Sequence, residues 1–200
     1  MRPAGALLAA GAATRFGRPK ALLEIGGKSF LRRLADELAA VAAPVLVVAP
    51  PGAAGFAAAL AGSAAEILVH PAPQRGLGSS LALAAREVRE RGPRPLLVAL
   101  VDQPLAGREL FARLVAAAEN GSGWAASDYG GGPIGPPAVF PSTALTELAA
   151  LDGDRGARHL LARERHRLAL VAFPGGRYDV DMPADLARLT KLGTGTGEGS

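Results

Sequence analysis

The chain has 200 residues, 49% of them hydrophobic but only 4% aromatic, which predicts one domain with a core of Ala, Leu and Val. The absence of cysteine excludes disulfides, thiolate catalysis and cysteine-ligated metal sites, and is consistent with a reducing cytoplasm. No stretch reaches the roughly 18 apolar residues of a membrane-spanning helix, and no signal-like segment opens the chain, so we expect a soluble cytoplasmic protein with no membrane contact.

The net charge of +4 is compatible with two kinds of anionic partner, small substrates or nucleic acid. The sequence has no zinc finger, no RRM signature and no block of consecutive cations. Its arginines are scattered over helical stretches such as 86–94 and 163–167, where a solvated helix face is the common case. We therefore expect no nucleic-acid partner.

The first predicted strand covers residues 4–10, which are apolar, and breaks at Gly11. Small residues follow, together with the cations Arg15, Arg18 and Lys20. A loop of small residues lets backbone N–H groups approach an anion closely, and the cations favour a polyphosphate. The spacing matches neither a Walker A loop nor a GxGxxG fingerprint, so an ordinary strand-to-helix turn with solvated cations is the alternative.

The next elements alternate between helix and strand. Residues 29–42 carry a helical apolar stripe with Ser29 as its predicted N-cap, and residues 45–49 form a continuous apolar run typical of a buried parallel strand. An Ala-rich helix over 53–61 and a strand over 66–69 follow. This alternation predicts a three-layer α/β/α fold with a doubly wound, mostly parallel sheet.

A loop rich in proline and glycine, residues 70–78, precedes a predicted helix that runs to Arg91. Ser79 or Ser80 is the predicted N-cap of that helix. A helix N-terminus directs N–H groups at whatever lies in front of it, which makes this loop a candidate binding element. Capping alone is the alternative for the two serines.

Residues 95–101 form the most hydrophobic run and are predicted to lie at the centre of the sheet. Asp102 follows directly, so its carboxylate is expected in the crevice at the carboxyl ends of the strands, where open α/β sheets bind ligands. Asp is a hard oxygen donor that suits Mg²⁺. An ordinary aspartate in a turn is the alternative.

After a predicted helix over 107–119, the pattern predicts strands at 124–127 and 138–140 with a long glycine-rich loop between them. Loops of that length inside a domain are usually functional, although a mobile surface loop is the alternative. The segment 153–158, GDRGAR, opens a predicted helix that runs to 167, with Asp154 as N-cap and with arginines able to bind a phosphate.

Residues 167–173 are the last predicted strand. Beyond them Asp179 and Asp181 alternate around Val180, which places both carboxylates on one face of an extended segment. We expect a single domain over residues 1–192. The low-complexity residues 193–200 are predicted to form a disordered tail.

The motif LAAGxxxRFGxPK, residues 8–20, resembles the signature of the nucleotidyltransferases that attach a nucleotide to the molybdenum cofactor, a MobA-like family within the nucleotide-diphospho-sugar transferase superfamily. The form LAAG, rather than LAGG, is more similar to the cytidylyltransferase branch. The resemblance covers nearly the whole chain through four further motifs: GLGSSL, DQP, GPPAVF together with GDRGAR, and DVDMPADL. The chain departs from the family pattern at residues 70–74, at Pro136 and at Met182.

The resemblance implies roles for particular residues. Catalysis is assigned to Arg15, Lys20 and Asp102. Binding of the nucleotide is assigned to Leu8, Ala9, Ala10, Gly11, Lys20, Gly78, Ser79 and Ser80. Mg²⁺ binding is assigned to Asp102 and Asp181. Binding of the acceptor is assigned to Gly135, Pro137, Arg155 and Arg158.

The implied reaction is transfer of CMP from CTP to molybdopterin that carries molybdenum, with release of pyrophosphate and with Mg²⁺ as cofactor. A molybdoenzyme or its maturation chaperone is the implied receiving partner. Three alternatives remain open: a guanylyltransferase of the same family that uses GTP, an NAD(P)H-dependent oxidoreductase of the nicotine blue type, and a non-catalytic carrier of the molybdenum cofactor.

Overall fold

The fold is organised around a seven-stranded mixed sheet, seen in a computed structural model that describes residues 1–11 and 19–177. Its strands are β1 (Ala4–Leu8), β4 (Val45–Ala49), β5 (Ala65–Val69), β6 (Leu96–Leu100), β7 (Ala125–Asp128), β8 (Ile134–Phe140) and β9 (Ala169–Ala172). A separate two-stranded hairpin consists of β2 (Glu24–Ile25) and β3 (Lys28–Ser29). The α-helices within the described residues are α1 (Phe30–Ala39), α2 (Ala54–Ala59), α3 (Leu77–Glu90), α4 (Arg108–Glu119), α5 (Leu145–Leu148) and α6 (Arg158–Arg163).

The strands of the large sheet follow the order β5-β4-β1-β6-β8-β7-β9. All run in one direction except β8, which is antiparallel to both β6 and β7. The chain moves outward from β1 to β4 and β5, and then returns to β6 on the other side of β1. The direction of winding therefore reverses between β1 and β6, and open α/β sheets bind ligands at such a point.

Alternate residues of the central strands enter two separate apolar layers. Leu7, Val47 and Leu97 pack in one layer with α1, α2 and α4. Leu8, Val48 and Val98 pack in the other with α3, α5 and α6. Because both faces of these strands are covered, their sequences read as unbroken apolar runs instead of alternating ones. The predicted three-layer α/β/α class with a mostly parallel sheet is confirmed.

Several local predictions agree with the structure. The strand predicted at 45–49 coincides with β4, and β6 occupies the central position among the seven strands, as its hydrophobicity indicated. The Ser29 side chain accepts a hydrogen bond from the Arg32 backbone N–H at 3.1 Å, so its predicted role as the N-cap of α1 is confirmed.

The long loop predicted over 128–137 is wrong in length, because β8 already begins at Ile134 and leaves only a short turn. The strand was not predicted from the sequence because it contains two adjacent prolines, which usually indicate a loop. The pairing between β7 and β8 shifts register between the pairs Ala126–Ala138 and Ser127–Gly135, and Pro136 and Pro137 lie at that irregularity. A strand tolerates proline at a bulge, where its missing N–H removes no ladder hydrogen bond.

Two predicted helix caps are also wrong. Helix α3 begins with Gly76 at the N-cap, so Ser79 and Ser80 lie inside its first turn. Helix α6 begins after Ala157, and Asp154 lies in the preceding turn without capping it. Within the described parts of the chain, no helix is both long enough and apolar enough to cross a membrane.

Candidate active site at the carboxyl ends of the strands

Two neighbouring cavities open at the edge of the sheet where β1 and β6 end. The β1 cavity, of about 440 Å³, lies in front of the turn that follows β1. The β8 cavity, of about 230 Å³, lies between the end of β6 and the beginning of β8. The topology positions both, because the carboxyl ends of the parallel strands and the amino end of the antiparallel β8 meet at this edge.

The floor of the β1 cavity is formed by the predicted anion loop. Residues 8–11 line it, with Lys20 from the 3-10 turn Lys20–Leu22 beside them. The Ala9 N–H donates to the Val48 carbonyl at 2.9 Å, which holds this segment against β4. Among the residues that the structure describes, none has an atom within 4 Å of a Cβ built on Gly11. Lys20 and residues 8–11, which the resemblance assigned to the nucleotide, therefore lie around one cavity.

Only some residues of the GLGSSL motif line the opposite wall of the β1 cavity. Ser80 lines the cavity together with Pro73, Gln74 and Gly76, whereas neither Gly78 nor Ser79 is among the described lining residues. Ser79 is buried, donates to the Gly76 carbonyl at 2.7 Å and pairs with the His70 ring at 2.9 Å.

Gly78 serves a close approach between two loops. Its N–H donates to the Gly153 carbonyl at 2.7 Å, so this helix N–H is already paired within the protein. A Cβ at Gly78 would lie 2.8 Å from that carbonyl oxygen and 2.9 Å from the Asp152 carbonyl oxygen. A Cβ at Gly76 would lie 2.1 Å from Asp154 Oδ1. Both glycines are needed because the GDRGAR loop packs directly on the beginning of α3.

An ion pair strengthens the same contact. Arg75 Nη2 lies 2.7 Å from Asp152 Oδ2, and Arg75 Nε donates to Asp152 Oδ1 at 3.1 Å. The hydrogen bond from Arg75 lowers the pKa of the Asp152 carboxyl below its ordinary value. Both side chains are more than half exposed, so this pair positions the loops more than it stabilises the fold.

Asp102 occupies the junction between the two cavities. It follows β6 and lines both of them, as do Leu8, Leu100 and Asp154. The Val101 N–H donates to the Leu8 carbonyl at 3.2 Å, which ties the end of β6 to the end of β1, and Asp102 Oδ1 is shielded from solvent. A group bound in one cavity can thus meet a group bound in the other beside this carboxylate.

The β8 cavity has an apolar floor and a cationic rim. Its walls include Val98, Pro136, Ala138 and Phe140, and the arginines Arg155 and Arg158 stand at its edge. Gly135 and Pro137, which were assigned to the acceptor, are not among its described lining residues. Pro137 accepts a hydrogen bond from the buried Ser127 hydroxyl at 2.8 Å through its carbonyl oxygen. Within this segment of β8, Pro136 is the proline that lines the β8 cavity.

Two lining residues were missed from the sequence, Gln103 and Tyr129. The Gln103 Nε2 group donates to the Tyr129 hydroxyl at 2.9 Å and to the Gly176 carbonyl at 3.4 Å, and the Tyr129 hydroxyl donates to the Pro136 carbonyl. A Cβ at Gly135 would lie 2.7 Å from the Tyr129 hydroxyl oxygen, so Gly135 makes room for this ring. The tyrosine in the turn and the glutamine after Asp102 gave no periodic signal by which they could have been identified.

The Gln103 side chain carries a further signal of function. It is 3% exposed, and among the described residues its Oε1 has no hydrogen-bond partner. Buried polar atoms are nearly always paired, so an exception at the wall of a cavity indicates a place where a ligand can complete the pairing.

Two of the predicted functional residues lie outside the described residues: Arg15, assigned to catalysis, and Asp181, assigned as a metal ligand. Over the described ranges no three Asp, Glu or His side chains converge into a metal cage. The chemistry present nevertheless suits Mg²⁺, which typically uses one or two carboxylates together with phosphate oxygens and water. Asp102 offers such a carboxylate at the junction of the cavities.

Comparison with known proteins agrees with this arrangement. Residues 5–168 match the model of the MobA-like NTP transferase domain. The molybdenum cofactor guanylyltransferase of Rhizobium meliloti is 32% identical over 180 residues, which cover 86% of this chain and 79% of that protein.

Solved structures give the same result. The structure of Rv0371c from Mycobacterium tuberculosis is 27% identical in sequence and has a TM-score of 0.76; the match covers 96% of this chain and 99% of the Rv0371c chain. A structure of Rv0371c in complex with manganese is 26% identical, with the same TM-score and the same two coverages. A nucleotidyl transferase from Methanothermobacter, 22% identical, shares the fold with a TM-score of 0.74, and the two chains cover each other to 96% and 97%. Because a family model matches most of the chain and a curated relative exceeds 30% identity over most of its length, the protein belongs to the MobA-like NTP transferase family.

Proposed function

We propose that the protein transfers a nucleotidyl group, CMP from CTP, to the phosphate of molybdopterin and releases pyrophosphate. The observation that carries this proposal is the position of Asp102 on the wall shared by the two cavities. One cavity suits a nucleoside triphosphate and the other suits a flat acceptor that bears a phosphate.

The β1 cavity has the properties of a triphosphate site. Backbone groups of residues 9–11 form its floor without large side chains, and Lys20 adds a positive charge. In the proposed complex Arg15 adds a second cation. The base and ribose lie against Pro73, Gly76 and Ser80 on the opposite wall.

The β8 cavity has the properties of a site for a planar ring with an anionic arm. Its floor of Val98, Ala138 and Phe140 accepts an apolar ring face, and Arg155 and Arg158 at the rim bind phosphate oxygens through planar, multiply donating groups. The tricyclic pterin occupies this floor in the proposed complex, with its phosphate pointing towards Asp102.

In the proposed reaction an oxygen of the acceptor phosphate forms a bond to the α-phosphorus of the nucleotide. The bond between that phosphorus and the oxygen bridging to the β-phosphorus breaks, and pyrophosphate leaves with the electron pair. The chain contributes by holding both substrates in line and by neutralising their charge with Lys20, Arg15 and the rim arginines. Asp102 and Asp181 would hold Mg²⁺, and the bound ion would supply Lewis-acid stabilisation of the phosphate oxygens.

The choice of CTP as donor rests on the LAAG form of the first motif. GTP is the second candidate, and the relative from Rhizobium meliloti, which is named a guanylyltransferase, favours it. A panel of CTP, GTP, ATP and UTP with molybdopterin and Mg²⁺, followed by pyrophosphate release, tests the donor. Activity with CTP alone supports the proposal, and activity with GTP alone replaces it by the second candidate.

Asp102→Asn is expected to lower kcat by about 10²–10³-fold, because it removes a carboxylate charge that is proposed to hold Mg²⁺ against the phosphates of both substrates. Pyrophosphate release measures the effect, with Glu109→Gln at the surface of α4 as a matched carboxylate control that keeps wild-type activity. Wild-type turnover in Asp102→Asn would contradict the proposed site.

Two further outcomes separate the remaining functions. Reduction of nicotine blue by NAD(P)H without pyrophosphate release would identify an oxidoreductase. Tight pterin binding with neither activity would identify a carrier.

A further inference from the structure

We propose that His70 is a positioning residue for the β1 cavity: its neutral ring holds the 70–79 segment in the shape that binds the nucleotide, and a second ring proton releases it. This inference rests on the proposed nucleotide site and adds a residue to which no role in the reaction has been assigned. It follows from a closed set of hydrogen bonds around a buried ring.

The partners of the ring fix its tautomer. The Ala72 backbone N–H, which can only donate, lies 3.0 Å from His70 Nδ1, so Nδ1 must be the unprotonated acceptor. The ring proton therefore resides on Nε2, which lies 2.9 Å from Ser79 Oγ and donates to it. The Ser79 hydroxyl in turn donates to the Gly76 carbonyl at 2.7 Å. The three hydrogen bonds therefore run in one direction, from the Ala72 N–H through the His70 ring and the Ser79 hydroxyl to the Gly76 carbonyl.

These bonds tie three places together. The His70 N–H donates to the Ala49 carbonyl, 2.8 Å away, at the end of β4, so the residue is anchored to the sheet. Its ring then fastens the loop backbone at Ala72 and, through Ser79, the beginning of α3. The segment held in this way includes Pro73, Gln74 and Gly76, which form one wall of the β1 cavity. The ring itself does not line that cavity in the described structure, so it acts through the wall.

A second proton on the ring is incompatible with this arrangement. Nδ1–H would face the Ala72 N–H, two donors would oppose each other, and the Ala72 bond would be lost. His70 is only 4% exposed, so the charged ring would also be poorly solvated. Among the described residues, Arg75 is the charged group identified as acting on the ring, Asp152 neutralises Arg75 across the loop, and α3 presents the Ser79 hydroxyl.

The direction of the pH dependence follows from these neighbours. Burial, and then the charge of Arg75, lower the pKa of His70 below its ordinary value of 6.5, against a smaller opposite effect of a hydrogen bond with the Ser79 backbone. The ring is therefore neutral near neutral pH and the wall is in place. Below pH 6.5 the unfolded chain binds this proton more readily than the folded one, so acid weakens both the loop and the fold.

The test follows the ring and the nucleotide together across about pH 5 to 8. Ring ¹⁵N shifts should show Nε2–H and a bare Nδ1 at neutral pH, and the nucleotide Kd of the wild type should rise as His70 titrates. His70→Ala should raise the Kd and the KM for the nucleotide roughly tenfold at neutral pH, with a smaller change in kcat.

His70→Asn provides the rescue variant. Its side-chain oxygen can still accept from the N–H two residues on, as in an Asx turn, but it does not titrate. It should recover part of the nucleotide affinity and lose the acid-induced rise in Kd. His166→Asn, at an exposed histidine between α6 and β9, is the matched control and should keep the wild-type pH profile.

Several results would overturn the proposal: an Nδ1–H tautomer, wild-type affinity in His70→Ala, or an unchanged acid profile in His70→Asn. If His70→Ala does not fold, the wild-type titration and His70→Asn decide the question alone. If no nucleotide binds the wild type at any pH, the proposed function fails; the ring tautomer and the protection factor of the Ala72 amide then still decide whether His70 holds the loop.

Discussion

The two cavities of the site are built from different parts of the chain. The floor of the β1 cavity consists of the small residues Ala9, Ala10 and Gly11, with longer side chains such as Lys20 beside it, whereas the long side chains of Tyr129, Arg155 and Arg158 line the β8 cavity. In the proposed complex the β1 cavity binds mainly through backbone groups together with Lys20, so its shape depends on where side chains are absent. The β8 cavity binds through side chains in the same proposal, so its chemistry depends on which residues are present.

This difference predicts which type of substitution should impair each cavity. Substitutions that add atoms should impair the β1 cavity, and substitutions that remove atoms should impair the β8 cavity. Two glycines provide the sharpest test, because one lines the β1 cavity and the other does not. Gly78, in the first turn of α3, is small so that the GDRGAR loop can pack on this helix, whereas Gly11 lines the cavity and has no atom of the described residues within 4 Å of a Cβ built on it.

The largest effect on stability is expected for Gly78→Ala. The new Cβ would meet two backbone carbonyl oxygens, at Gly153 and Asp152, that cannot move aside independently. We expect a loss of about 1–3 kcal/mol in the free energy of unfolding, measured by denaturant titration. Gly11→Ala is the matched variant, since no atom of the described residues lies within 4 Å of its new Cβ. It should leave stability nearly unchanged and raise the nucleotide KM roughly tenfold. Equal stability losses in both variants would contradict the comparison.

An intermediate effect is expected for the rim arginines. Arg155→Ala and Arg158→Ala should each raise the KM for the acceptor roughly tenfold, because each removes a charged donor to the acceptor phosphate. The nucleotide KM should stay close to the wild-type value. Steady-state kinetics with one substrate varied at a time separates the two constants. If only the nucleotide KM changed, the assignment of these arginines to the acceptor in the β8 cavity would be contradicted.

The smallest effect is expected for Arg75→Ala. The hydrogen bond with Arg75 lowers the pKa of Asp152, so the stability that this pair contributes is present above pH 3.8, the ordinary pKa of the carboxyl, and is lost as the pH falls through the lowered pKa. Thermal unfolding should show a slightly lower Tm than wild type at neutral pH and a difference that disappears in strong acid. Arg113→Ala on α4 is the control. If the Tm difference between the wild type and Arg75→Ala grew in acid, the predicted pH dependence of this ion pair would be contradicted.

Local patterns were sufficient for the parallel half of the sheet. The boundaries of β4, the central position of β6 and the cap at Ser29 each follow from residues adjacent in the chain, because a buried strand and a helix N-terminus carry their signal within a few positions. The placement of Asp102 followed as well, since a residue directly after a central parallel strand must lie at the ligand-binding edge.

Contacts between distant segments were beyond these patterns. Ser79 was assigned to capping and to the nucleotide, yet its hydroxyl is engaged with His70 and Gly76. The prolines of β8 indicated a loop because the bulge that accommodates them depends on pairing with β7. Gln103 and Tyr129 could not be connected from the sequence, since the hydrogen bond between them joins residues 26 positions apart.

The sequence by itself determined the family resemblance and the α/β class, and it predicted a turn of small residues after β1, because these depend on short motifs and on the period of apolar residues. Only the tertiary structure decided that two cavities meet at Asp102, that Ser80 and not Ser79 is among the described residues lining the β1 cavity, and that the His70 ring is hydrogen-bonded to the loop that forms one wall of that cavity. The physical reason is that a cavity is formed by surfaces from separate strand ends, and their distances are set by packing of the whole sheet rather than by any one segment.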